Sequence, residues 1–461
     1  METYDLAVIG AGPAGLAAAA EASAAGLSVV LLDEQPRPGG QIYREVDRAA
    51  SVRGAILGKD YTHGLSLTGA TQAENVTYMS RTTVWDMTPE GVLSFTRNGA
   101  AGSLRFERLL IATGALERPM PVPGWTLPGV MAAGAAQILL KQSGLVSRRA
   151  VLAGSGPLLY LVAAQMVRAG SPPLALLETQ GQPYSALRYA PRALMGWRVL
   201  GKGMRLLAEL RRAGVPRYRG VRAISIEGEG QVNKVRFEEK GRTREISCDT
   251  VFLHHGVVPN VQASRALRLD HDWCEAQACF QPRLDDWGRS SARNIFIAGD
   301  GAGIGGAIAA EHAGRLTALE IARDLGAIEV VDRDRRAAPI RRALLAERAV
   351  RPFLDAAFPP YSEAIADDTI ICRCEEVTAG AIRRAASLGC AGPNQSKAFN
   401  RAGMGPCQGR YCGLTVSKLL AEVNGASVEA TGYYRLRPPI KPVTLGEIAQ
   451  MTHPNEPEKT G

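Results

Sequence analysis

The apolar and polar positions of the first 34 residues change period three times. Tyr4 to Ile9 reads as a short strand, and Gly10, Gly12 and Gly15, with Pro13 and Ala14 between them, form a turn. Leu16 to Ala25 is alanine-rich and helix-forming, and Leu27 to Leu32 is a second apolar strand closed by Asp33 and Glu34. From Ala73 to Leu110 short alternating runs predict a small antiparallel sheet, ending in the apolar segment Leu109 to Ala115. A similar segment, Asn294 to Asp300, ends in a small-residue turn and an aspartate. Between the two, Arg149 to Pro157 opens another strand, turn and helix that closes on a strand ending at Glu178. Residues 326–364, rich in Arg, Asp and Pro, predict a linker with a helix near Ala337 to Phe353. Beyond it Thr378 is placed to cap a helix that stops at Leu388 and Gly389, and a last helix runs through Leu420.

Length and composition narrow this picture. A chain of 461 residues divides into about two to four units. The net charge of +9 fits an anionic cofactor, an acidic partner or a membrane surface. The arginines are scattered without an aromatic-interleaved stripe, which argues against nucleic acid. The amino terminus enters a strand pattern at once and no apolar run is long enough to span a bilayer, so a cytoplasmic protein is expected, with peripheral membrane association compatible with its charge. Eight cysteines in a chain of this length do not make a disulfide framework.

The glycine turn after the first strand has a specific chemistry. The first glycine makes the turn, the second lets backbone N–H groups approach a pyrophosphate, and the third lets the helix lie close to the strand. Asp33, 23 residues after Gly10, stands where a carboxylate accepts hydrogen bonds from adenosine ribose hydroxyls. Pro36 to Gln41, including Gly40 and Gln41, is turn-rich and too polar for a core. Together with Thr113, Gly114 and Asp300 at the two later strand ends, this fingerprint resembles the two-dinucleotide-binding-domain flavoproteins, the superfamily of thioredoxin reductase and glutathione reductase. The resemblance covers about residues 4 to 325. It implies an α/β, Rossmann-like fold with FAD in a discontinuous domain. Gly10, Gly12, Pro13, Ala14, Gly15, Asp33 and Glu34 would then hold the adenosine end, Gly40 and Gln41 the loop along the flavin, Thr113 and Gly114 its middle, and Asp300 the pyrophosphate or ribityl portion.

The inserted unit departs from the pattern. Gly154 and Gly156 are present, but Leu159 stands at the third glycine position, which counts against NAD(P), and Glu178 would face the 2′-phosphate of NADPH. No cysteine precedes Cys248, so disulfide chemistry beside the flavin is not expected; Cys274 and Cys279 read as incidental thiols. The adjacent His254 and His255 point to opposite faces of a strand and suit a structural role better than one metal. His312 falls in a helix that the superfamily brings to the flavin ring, with core packing as the default reading.

Four thiols gather near the C-terminus, Cys372 with Cys374 and Cys407 with Cys412. The 32 residues 375 to 406 between the pairs are enough for one helix and a returning loop, so the pairs can converge on a metal. Zinc suits four thiolates as well as iron–sulfur does. The CxC spacing resembles the BFD-like [2Fe-2S] domain of bacterioferritin-associated ferredoxin and nitrite reductases, although the second pair is CxxxxC and not CxxC. By that resemblance the four cysteines ligate a [2Fe-2S] cluster, Lys397, Arg401 and Arg410 are placed to raise its potential, and Cys390 stands apart.

The combination, including the YYRLRPPIKP tail, resembles the alpha-type subunits of hetero-oligomeric amine dehydrogenases, the family of the opine oxidase alpha-type chain, D-hydroxyproline and proline dehydrogenases and the hydrogen cyanide synthase B subunit. The family implies an FAD domain at 1–119 and 286–325, a second nucleotide-binding-like domain at 120–285, a linker at 326–364, the cluster domain at 365–425 and a tail at 426–461. It further implies a partner beta subunit resembling glycine or D-amino-acid oxidase, a small ferredoxin-like gamma subunit, FMN at a subunit interface and a quinone or other acceptor. Two alternatives stay open: a stand-alone NAD(P)H-dependent ferredoxin-type reductase, and a structural nucleotide-binding scaffold.

Overall fold

The strand Ala100–Ile111 is the seam of the molecule. Its first half pairs antiparallel with Val92–Arg97, which pairs with Thr82–Met87; its second half pairs parallel with Thr3–Ile9 on one side and with Ile295–Ile297 on the other. The chain leaves this sheet after Ile111 and returns almost two hundred residues later. Val29–Leu32 and Val76–Met79 extend the sheet outward from Thr3–Ile9, both parallel. All four residues of Val29–Leu32 are buried, as expected for a parallel strand covered on both faces. The run Val76–Met79 therefore belongs to the parallel sheet and not to the antiparallel unit its alternation suggests. Periodicity shows which face is buried, but the direction of pairing is set by the connections.

In this computed structural model, which describes residues 1–181 and 184–451, the inserted part is a second parallel sheet. Its order is Arg217–Arg219, Ala175–Glu178, Ala150–Gly154, Thr250–His254 and Val130–Ala132, with a three-stranded antiparallel flap over Arg222–Ser247. Of the tail expected over 426–461, the residues past 451 lie outside the described ones.

The arginine-rich stretch after 326 is two helices, Val330–Ala349 and Arg351–Ala357. The first begins well before the expected Ala337, because its charges are paired instead of solvated. Arg333 Nη1 reaches Glu320 Oε2 at 2.7 Å and Arg336 Nη2 reaches Glu21 Oε1 at 2.5 Å, both on helices of the first domain. Ala337 packs with Leu316 and Leu319 in a small apolar cluster beneath.

The C-terminal module holds the helices Ala379–Ser387, Pro393–Asn400 and Gly413–Asn424 around its own core of Ile371, Ile382, Val416, Leu419 and Leu420. Thr378 Oγ1 caps the first by accepting from Ala381 N at 3.3 Å, and Gly389 follows its end with φ 96°. The module packs on the body. Trp125 Nε1 donates to Ile370 O at 2.7 Å with Arg373 stacked over the Trp125 ring, and Tyr433 packs edge-on against Phe280. The tail then crosses to the first domain, where Ile440 N donates to Trp85 O at 2.8 Å and the Ile440 side chain enters that core. Among the described residues no helix is long and apolar enough to cross a membrane.

Candidate functional site

The three motifs of the first domain meet at one edge of its sheet. A Cβ placed on Gly10 would lie 2.6 Å from Ala112 O, and one on Gly301 would lie 3.3 Å from Gly114 O. The glycine turn, Thr113–Gly114 and the Asp300 turn are therefore immediate neighbours. Helix Pro13–Ala24 begins at this edge with Pro13 at its start, where a missing N–H costs nothing. Ala14 is packing: its carbonyl meets Gly314 of the helix Ala307–Asp324, where a Cβ would come within 2.1 Å. Gly15 is required by the protein itself, since a Cβ there would lie 1.9 Å from Gly10 O. Gly12 is not: with φ −80° its Cβ would meet only Gly40 Cα, at 3.9 Å. Packing and backbone strain leave Gly12 unexplained, whereas a pyrophosphate lying on the N–H groups of this loop explains it.

Asp33 is buried and accepts from Ala11 N at 2.6 Å and Gln35 N at 2.7 Å, so it organises the glycine loop in addition to offering its remaining lone pairs. Burial raises its pKa, against these two N–H donors. Glu34 is exposed and bridged by Lys441 of the tail at 2.7 Å. Asp300 Oδ1 accepts from Gly305 N and Gly306 N at 2.9 Å each, which folds the following loop over the site. Part of the Pro36–Gln41 stretch, Pro38 and Gly39, is buried, because Gly39 N donates to Ala11 O at 2.7 Å and seats the loop on the glycine turn. His312 sits on the helix behind this loop with a buried Nδ1 that has no partner among the described residues.

Lys141, which nothing in the sequence motifs singles out, comes from the second domain to this loop. Its Nζ donates to Gln41 O at 3.0 Å, Ile42 O at 2.7 Å and Gln137 Oε1 at 2.7 Å, using all three of its protons. Burial, and then the nearby Arg44, push its pKa down to about 7. Gln137 continues to Gln165, and Arg44 links Gln41 to Gln35. One polar chain, buried at Lys141, Gln137 and Gln165, thus spans the joint between the nucleotide-binding folds. A lysine directly after the apolar run Ile138–Leu140 was the available signal.

The second fold is filled by its own side chains. Leu159 is buried in that domain's core, and the Cβ position of Gly156 lies 2.8 Å from His254 Nε2. His254 is fixed there by Glu117, 2.5 Å from its Nδ1, while His255 Nε2 meets Pro119 O at 2.5 Å; both histidines are structural. Glu178 does not stand open to a phosphate: it is buried and paired with Arg217 at 2.6 Å and Arg219 at 3.5 Å. The expected repulsion of a 2′-phosphate by a free carboxylate is therefore absent.

In the module Cys372 neighbours Cys412, and Cys374 neighbours Cys407. The Cys412 thiol, followed by the N–H groups of Gly403, Glu375 and Cys374, holds the Cys372 pKa down to about 5 against burial. The same hydrogen bond, with burial, raises that of Cys412, and burial raises that of Cys374. Gly405 is obligatory here, since a Cβ would lie 2.3 Å from Cys374 Cβ. Tyr434 closes the back of the site, donating to Ala402 O at 2.7 Å and touching Cys412. Cys390 is buried outside both pairs, its carbonyl accepting from Asn424. Among the described residues no group of three or more His, Cys, Asp or Glu side chains is arranged to hold a metal ion.

Comparison with known proteins places this arrangement. Residues 4–335 match the family described as pyridine nucleotide-disulphide oxidoreductase. The chain belongs to that family. Residues 367–451 match the sarcosine oxidase A3 domain. The A subunit of opine oxidase from Agrobacterium tumefaciens (strain Ach5) is 46% identical over 469 residues, which cover 98% of this chain and 92% of the relative. Hydrogen cyanide synthase subunit HcnB of Pseudomonas aeruginosa is 33% identical over 471 residues, covering 96% of this chain and 98% of the relative. The crystal structure of L-proline dehydrogenase from P. horikoshii shares the fold, with a TM-score of 0.69 at 19% identity over 97% of this chain and 79% of that one. This member of the family is accordingly a flavin oxidoreductase that takes FAD, although its first cysteine is Cys248.

Proposed function

We propose that this chain is the electron-transfer subunit of a hetero-oligomeric amine or imino acid dehydrogenase of the opine, hydroxyproline, proline or glycine type. Its 46% identical relative is named as one subunit of opine oxidase, which supports a place in such an enzyme, as does the sarcosine oxidase A3 match. In this reading a beta subunit resembling glycine or D-amino-acid oxidase oxidises the C–N bond. This chain then passes the electrons to a quinone or another acceptor. FAD supplies reversible two-electron redox chemistry here, and a [2Fe-2S] cluster one-electron transfer.

The chain's own residues bind and orient. Gly10, Gly12 and the N-terminus of helix Pro13–Ala24 receive the pyrophosphate, Asp33 the ribose, Asp300 the ribityl or pyrophosphate portion, and the Gly40–Gln41 loop lies along the flavin. Cys372, Cys374, Cys407 and Cys412 ligate the cluster, and the N–H groups aimed at Cys372 tune it. The observation that carries this reading is the 46% identity to one subunit of opine oxidase over 98% of this chain, together with the match of residues 367–451 to the sarcosine oxidase A3 domain.

The stand-alone NAD(P)H reductase is disfavoured by Leu159 and by His254 against Gly156. Mixing the anaerobic flavin-loaded chain with NADH in a stopped-flow spectrometer decides between them. The subunit reading expects no bleaching of flavin absorbance at a rate fit for turnover, and such bleaching would overturn it.

A further inference from the structure

The second domain carries an amphipathic surface on residues 185–212. Leu187, Leu194, Met195, Trp197 and Met204 are 55 to 67% exposed within eighteen residues of chain. On the helix Trp197–Arg212, Leu206 and Leu210 face the core, while Trp197, Gly201 and Met204 share the outer face one turn apart. Leu345, also exposed, lies on the neighbouring helix Val330–Ala349, which packs on Gly196 next to its C-terminal Val350. A contiguous apolar surface of this kind marks an interaction site.

Three observations identify what it meets. Residues 185–212 hold six arginines and one lysine against one carboxylate, Glu209, which Arg168 already engages at 2.6 Å. A second copy of the chain would bring like charges together, so the partner is acidic. Trp, Met and Arg in place of Lys is the composition of protein interfaces. Gly201 and Gly203 are poor helix formers in the middle of this helix, yet a Cβ on either would meet nothing within 4 Å. Space left open on an exposed helix admits the close approach of another protein's backbone, which a lipid surface does not need.

The patch is also connected to the flavin loop. Ser185 Oγ donates to Ala356 O at 3.4 Å, and Asp355 on that same helix accepts from Gln277 Nε2 at 3.3 Å. Gln277 holds Ile304 through two hydrogen bonds of 3.3 Å, and the next residue in that loop, Gly305, donates to Asp300.

We propose that the surface built on Leu187, Leu194, Trp197 and Met204 is the docking face for an acidic protein subunit, the one that exchanges electrons with this chain's flavin. It rests on the hetero-oligomer reading above. The test uses the native complex purified through a tag on this chain, followed by native mass spectrometry and light scattering. The double substitution Trp197→Glu with Met204→Glu is expected to leave bound flavin unchanged and to release the chain from its partner. Arg198→Glu with Arg205→Glu weakens assembly at least tenfold, while Val331→Glu, an exposed apolar position elsewhere, changes nothing. An intact complex in both double variants overturns the proposal. So does loss of sedimentation with phosphatidylglycerol vesicles while the complex stays whole, which would make the face a membrane contact, or dispersal of a homodimer. A wild-type chain that is monomeric and fully active as a dehydrogenase would instead overturn the functional reading itself.

Discussion

Lys141→Met is the most informative single substitution in the fold around the flavin loop. It keeps the length and apolar stem of the side chain but removes the three donors that hold Gln41 O, Ile42 O and Gln137 Oε1 at 2.7 to 3.0 Å. The buried acceptor Gln137 Oε1 left unpaired costs about 1–3 kcal/mol, and the carbonyls of Gln41 and Ile42, on exposed residues, less. At pH 6, below the folded pKa, the side chain is an ammonium, and removing it from a buried site offsets part of that loss, so a net destabilisation of about 1–3 kcal/mol is expected there. The pH dependence is the sharper signature. Burial lowers the folded pKa from 10.5 to about 7, so between those values the unfolded chain binds the extra proton and this group's contribution to stability rises with pH. The Met variant lacks that slope, and its deficit should therefore widen by about 1 kcal/mol per pH unit above pH 7.5. Urea midpoints of the flavin-loaded protein at pH 6, 7.5 and 9 measure both. A deficit below about 0.5 kcal/mol, or one that shrinks as pH rises, would show that Lys141 does not hold the joint in this way.

Gly12→Ala and Gly15→Ala should behave oppositely despite standing in the same turn. The first has room within the protein and should keep the melting temperature of the flavin-free chain while losing most bound flavin; the second, with its Cβ 1.9 Å from Gly10 O, should fail to fold. Visible absorbance and a thermal melt separate them, and a flavin-replete Gly12→Ala protein would count against the pyrophosphate assignment. Asp33→Asn turns an amide N–H toward Ala11 N or Gln35 N, and should raise the FAD dissociation constant about tenfold or more by fluorescence titration. Leu159→Gly should not create NADH binding by calorimetry, because His254 still faces Gly156.

The strand, glycine turn and helix at the N-terminus were legible because each carries its own period and punctuation, and the same holds for the Thr378 cap and the Gly389 stop. What escaped was decided by partners distant in sequence. The Arg-rich stretch after 326 looked like a solvated linker, since nothing local shows that Arg333 and Arg336 meet Glu320 and Glu21. Glu178 looked like a free acid for the same reason, its two arginines lying on another strand. Tyr433 and Tyr434 stood out only as part of a tail motif. Their work, packing on Phe280 and backing Cys412, depends on a helix and a hairpin that sequence order does not bring together.

Everything proposed for the C-terminal module depends on Cys372, Cys374, Cys407 and Cys412 carrying an electron-transfer cluster and not a structural ion. Iron, zinc and acid-labile sulfide measured in anaerobically purified protein distinguish the two. Iron and sulfide are expected in equal amounts, about two of each per chain, lost in Cys374→Ser and Cys407→Ser and retained in Cys390→Ser. Zinc near one per chain without iron, or iron that survives loss of Cys374 and Cys407, would contradict the cluster.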